Sequence, residues 1–207
     1  MKLDPDIVAF FSDQTRLERI DQLHALLFDC LSETEKSLRV NVEKAIKELA
    51  DHHSRHWKWR RGRVESGEQI GLTPSNENAP WPADLWVHFG WNAKESVLSS
   101  EWIGIYTQHQ DVSLRQQLTE ATKHIFENPV LDKSDDWYPI FEYVPDWPGI
   151  RSTTQLEKDH KIAGLVRVLR DGGQGGQQLV VGIRTKLAKL LDQLDQLAEE
   201  LRQTTKA

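Results

Sequence analysis

The chain has 207 residues, 38% of them hydrophobic and 28% charged, which is enough to bury one sizeable core. No apolar run approaches the roughly 20 residues a membrane span needs. The single cysteine, Cys30, excludes an internal disulfide, and the N-terminus turns acidic at once without an apolar signal core, so the sequence predicts a cytoplasmic protein with no membrane partner. The net charge of −6 conceals a partition: residues 1–51 carry −4, 52–63 carry +5, 64–150 carry −10 and 151–207 carry +3. An acidic middle beside a short basic strip argues against broad coating of nucleic acid and leaves a local anionic contact through the strip.

Along the chain, Leu17, Ile20, His24, Leu27 and Leu31 step by three and four, and Leu38, Val42, Ala45 and Leu49 continue on a drifting face. This pattern predicts an amphipathic arm over 1–56. Ser32 and Glu35 have capping-box spacing, so two helices (15–31 and 33–56) and a single one fit equally well. Cys30, inside an apolar run, reads as a packed thiol. A Trp-rich head over 57–150 follows and holds all eight tryptophans. Its strand signals are a weak one at 63–72 and clearer ones at 85–91, 102–106 and 137–144. In the second, Leu85, Val87 and Phe89 alternate with Trp86, His88 and Gly90. A helix at 113–127 with Ser113 as cap precedes the last strand, and the proline-rich loop 73–82 is expected to be mobile.

Residues 155–170 again read as helix, and Asp171-Gly-Gly-Gln-Gly-Gly-Gln177 reads as the turn of a C-terminal helical hairpin over 151–207. Val180, Ile183, Leu187, Leu190, Leu194, Leu197 and Leu201 then form a seam that needs a facing helix, in the N-terminal arm or in a second subunit. The fold expected is α+β: N- and C-terminal helices forming a bundle or coiled-coil-like stalk around an inserted small antiparallel sheet with one helix.

Chemistry is sparse. Residues 55–63 hold five permanent cations and two tryptophans, a pattern suited to phosphates and unstacked bases, and equally to an acidic protein. As a strand, the stretch would set Trp57 and Trp59 on one face and Lys58 and Arg60 on the other. His52 and His56, four apart on the arm helix, are a weak metal pair without a third ligand. Pro145-Asp146 with Asp159-His-Lys161 resembles the PD-(D/E)xK nucleases, a resemblance that would imply magnesium chemistry, although the second acid and lysine lie in a helical rather than a strand pattern. Gly172-Gly-Gln174 and Gly175-Gly-Gln177 each resemble the catalytic tripeptide of peptide-chain release factors, over those residues alone. There is no nucleophile-elbow pattern. His88, His109 and His124 would have to converge with Glu142, Asp135 or Asp136 to build an acid–base site.

The aromatic residues exceed what a small head needs for its core, so one face of the sheet is either covered or available as a binding hot spot. The expectation is therefore a non-catalytic macromolecule-binding protein, adaptor or inhibitor-like, without a cofactor. Its contact residues would be Trp57, Trp59, Arg60, Arg61, Arg63, Trp81, Trp86, Trp91, Trp137, Tyr138 and Trp147. Another protein is the expected partner. A nucleic-acid-binding accessory protein using residues 55–63, a metal-dependent nuclease or hydrolase, and a homodimer through the Ile183–Leu201 seam are the alternatives.

Overall fold

The structure, a computed structural model, describes residues 13–64, 67–75, 81–92, 101–108, 111–131, 138–144 and 163–204. The chain divides into two compact units, Met1–Ser37 and Leu38–Ala207.

Helix α1 (Gln14–His52) starts at Asp13, whose carboxylate accepts from the Arg16 amide at 3.2 Å. It is one helix, not two. No glycine or proline interrupts residues 14–52, so ending a helix at Ser32 would strand backbone groups for no local gain. In the first unit Leu17, Ile20, Leu23 and Leu26 are exposed, and so is Cys30, which corrects its reading as a packed thiol. Periodicity reports that a face can be buried; it does not supply the surface that buries it.

The second unit holds the rest of α1 and five strands: β1 (Trp57–Val64), β2 (Gly67–Pro74), β3 (Trp86–Asn92), β4 (Trp102–Tyr106) and β5 (Ile140–Tyr143). They form one antiparallel sheet in the order β1-β2-β3-β4-β5. The expected weak strand at 63–72 straddles two real ones, because Val64 pairs with Gly67 and the basic strip before it is itself a strand. Helix α2 (Val112–Thr122), extended by a 3-10 turn at Lys123–Ile125, lies between β4 and β5 in sequence. Its cap is Asp111 rather than Ser113: the Asp111 carboxylate accepts from the amides of Ser113 (2.8 Å) and Leu114 (3.2 Å). A carboxylate there also meets the positive end of the helix dipole.

Helix α3 (Ala163–Thr204) runs unbroken through Asp171–Gln177, where a turn was expected. Each glycine costs a helix about 1 kcal/mol relative to alanine. Propagation from a long, well-packed helix is cooperative and can absorb that cost, which a residue-by-residue reading of propensity misses.

Strand alternation sorts the sheet into two faces. Trp57, Ile70, Leu72, Val87, Phe89, Ile103, Ile105 and Ile140 lie in one buried cluster with Val42, Ile46 and Leu49 of α1 and Ile183, Leu187, Leu190, Leu191 and Leu194 of α3. The predicted seam is thus buried within a single chain, with Leu197 and Leu201 half-buried against the same cluster. Each fully buried leucine or isoleucine contributes about 1.5–3 kcal/mol. Polar contacts hold the helices to their neighbours: Arg184 meets Glu48 at 3.6 Å, and the Trp57 indole Nε1 donates to Asp195 Oδ1 at 2.8 Å. Among the described residues no helix is long and apolar enough to cross a membrane.

Candidate interaction edge

The basic strip becomes strand β1, at one edge of the sheet. Its alternation decides what each residue does. Trp57 and Trp59 turn toward the helices. Trp57 is 1% exposed, with its indole N–H tied to Asp195. Trp59 is half-buried against the core, and Lys47 Nζ sits 4.4 Å from its ring centroid. Lys58 and Arg60 take the opposite face and are exposed. The Arg60 guanidinium lies 4.7 Å above the Trp86 ring, a cation–π contact. Arg61 is 55% exposed and meets Glu68 at 3.1 Å and Glu43 at 3.8 Å. Arg63 stands opposite Glu68 in the register, and its side chain is outside the described set.

The backbone of β1 is equally ordered. The Ser75 amide donates to the His56 carbonyl at 2.8 Å, in line with the register that pairs Trp57 with Pro74. In an antiparallel pair the bonding positions alternate. Even-numbered residues of β1 therefore bond to β2, while Trp59 and Arg61 direct N–H and C=O outward. Among the described residues no strand pairs with β1 on that side, although the outward amide of Trp57 donates to the His53 carbonyl at 2.9 Å. The opposite edge differs: Val130 and Phe141 exchange backbone hydrogen bonds of 2.7 and 3.2 Å, capping part of β5.

Three of the other expected contact aromatics, Trp81, Trp86 and Trp91, are buried in the fold; Arg39 lies 4.8 Å from the Trp91 ring centroid, and Phe89 packs beside it at 5.8 Å. Tyr138 is half-buried, while Trp137 and Trp147 lie outside the described residues. The face around Trp86 is closed by aromatic packing. His88, fully buried, has Trp102, Tyr106 and Tyr138 at centroid distances of 6.5, 6.3 and 5.7 Å. Trp102 Nε1 donates to His88 Nε2 at 3.1 Å, so the neutral ring carries its proton on Nδ1, and burial lowers the pKa from 6.5 to about 3. Gly90 is required beneath Trp102, because a Cβ there would lie 2.5 Å from Trp102 Cζ2.

No acid–base centre assembles among the described candidates. His88 is neutral in its aromatic surroundings, His124 is exposed, and His109, Asp135 and Asp136 lie outside the described residues. Glu142, fully buried, accepts from the amides of Glu127 (2.8 Å) and Asn128 (3.3 Å) and from Lys186 Nζ, so it joins β5, the loop after α2 and α3. That lock has no local sequence signature. His52 is exposed and His56 half-buried, and among the described residues no three His, Cys, Asp or Glu side chains are grouped to hold a metal. The nuclease-like residues Asp146, Asp159 and Lys161 lie outside the described set, and the Gly-Gly-Gln tripeptides lie inside α3. Sequence reasoning left Lys58 out of the expected contact set, although alternation alone pairs it with Arg60.

Fold and edge together describe an α+β protein with an antiparallel sheet and a cationic edge strand. No protein family, curated protein or solved structure matches the chain.

Proposed function

We propose that this chain is a non-catalytic macromolecule-binding protein, an adaptor or inhibitor-like module, whose contact surface is the basic edge strand β1. The observation that carries this reading is the division of labour along the strand: its indoles face the core while Lys58 and Arg60 face solvent. Exposed cations on an ordered strand form a fixed, anion-selective surface. The helices act as the supporting layer of a bundle-like scaffold, and the seam closes within the chain, which favours a monomer over a homodimer. A protein partner is preferred to nucleic acid, because Trp57, Trp59 and Trp86 already have their faces or polar edges engaged, and base stacking needs a free indole face.

The test is a fluorescence-anisotropy titration of an acidic peptide against the native chain and Lys58→Glu/Arg60→Glu. Charge reversal is expected to weaken binding at least about tenfold, roughly 1.4 kcal/mol. Unchanged binding by the reversed variant would remove β1 as the contact.

A further inference from the structure

Resting on that assignment of β1 as the contact, we propose that the partner is an extended, acidic polypeptide segment that joins the sheet beside β1 as an added strand. Three observations converge. First, β1 is eight residues long, and the backbone groups of Trp59 and Arg61 point away from β2, so an incoming strand finds donors and acceptors already in place. Second, the cations flank that line on both faces of the sheet: Lys58 and Arg60 on the side away from the helices, Arg61 on the helix side. An added strand sends successive side chains to alternate faces, so acidic residues at alternate positions would lie alongside Lys58 and Arg60. Third, the far edge is already bridged by Val130, which leaves β1 as the receptive edge among the described strands.

The same charges select against a second copy of this chain. Two β1 strands paired edge to edge would place arginines and lysines against one another, and like charges across a strand pair are destabilising. Nucleic acid would use the cations but would leave the outward amides and carbonyls of Trp59 and Arg61 unused. The occupant that satisfies both backbone and charge is an acidic peptide in extended form.

The test uses a labelled eight-residue peptide alternating Glu and Val, with oligothymidine as the competing probe. Arg61→Pro removes one outward N–H while sparing the bonds to β2, since proline is tolerated at an edge position of this kind. Arg61→Ala removes the charge alone. Strand addition is expected to make Arg61→Pro bind the peptide at least about tenfold more weakly than Arg61→Ala does. A second readout needs no variant: on saturation with peptide, amide hydrogen exchange at Trp59 and Arg61 of the native chain should slow at least about tenfold. Equal binding by the two variants together with unslowed exchange would overturn strand addition. Binding of oligothymidine with a steep salt dependence and none of the peptide would overturn it as well. The first result leaves β1 as the contact, which stands or falls on Lys58→Glu/Arg60→Glu; the second also removes the preference for a protein partner over nucleic acid.

Discussion

His88→Gln should flatten the response of folding stability to mild acid. In the native chain the imidazole is fully buried among Trp102, Tyr106 and Tyr138, and desolvation lowers its pKa from 6.5 to about 3. The unfolded chain therefore takes up a proton near pH 6.5 that the folded chain refuses. The stability held by the neutral ring is complete above pH 6.5 and is lost as pH falls toward 3. Each pH unit in that window costs up to about 1.4 kcal/mol. Between pH 7.5 and 5.0 the loss comes to about 2 kcal/mol, before most carboxylates begin to titrate. Glutamine retains an acceptor for the Trp102 N–H and has no proton to gain. Urea unfolding of native chain and variant at both pH values isolates the effect, because the other histidines cancel in the difference. The native chain should lose about 2 kcal/mol more than the variant. Equal losses would mean that His88 titrates in the folded chain as it does in the unfolded one, as a hydrated ring would, and the closed aromatic face would be refuted.

Three further substitutions probe the scaffold. Glu142→Gln removes the buried carboxylate that pairs with the Lys186 ammonium, itself 13% exposed, and should cost about 2–4 kcal/mol in urea melts, with Glu142→Gln/Lys186→Met recovering part of that loss. Gly90→Ala should cost about 1–3 kcal/mol, read as a lowered melting temperature with altered near-ultraviolet dichroism as the Trp102 ring is displaced. Leu190→Asp places a charge at a position fully buried within one chain, so far-ultraviolet dichroism should report unfolding. A folded Leu190→Asp variant that merely elutes as a smaller species would show that the seam is intermolecular.

The elements legible in the sequence were those with an uninterrupted period. The alternation of Leu85 to Gly90 gave β3 and the correct division of its faces, and the Ile183–Leu201 spacing identified a buried helical stripe. Boundaries failed where a local signal was weighed without its surroundings. The glycines of 171–177 suggested a turn but are held inside α3, and Ser32 offered a cap that a continuous α1 does not use. At Cys30 an apolar pattern implied burial, and the thiol is exposed. The candidate edge was half legible: the cations of 55–63 stand out, but their meaning depends on β1 being an edge strand, which strand order alone reveals. The count of aromatic residues suggested surplus surface. Among the described residues Trp57, Trp81, Trp86 and Trp91 are buried, so these indoles are taken up by the fold itself. The Glu142–Lys186 pair, 44 residues apart in sequence, has no local pattern to announce it.

Chemical-shift mapping of the isotope-labelled chain during titration with the alternating Glu-Val peptide tests β1 as the contact most directly. Saturable shifts centred on Lys58 to Gly62, with the core indoles Trp81 and Trp91 unmoved, are the expected result. Shifts centred on the aromatic face around Trp86 and Trp102, with β1 silent, would contradict it.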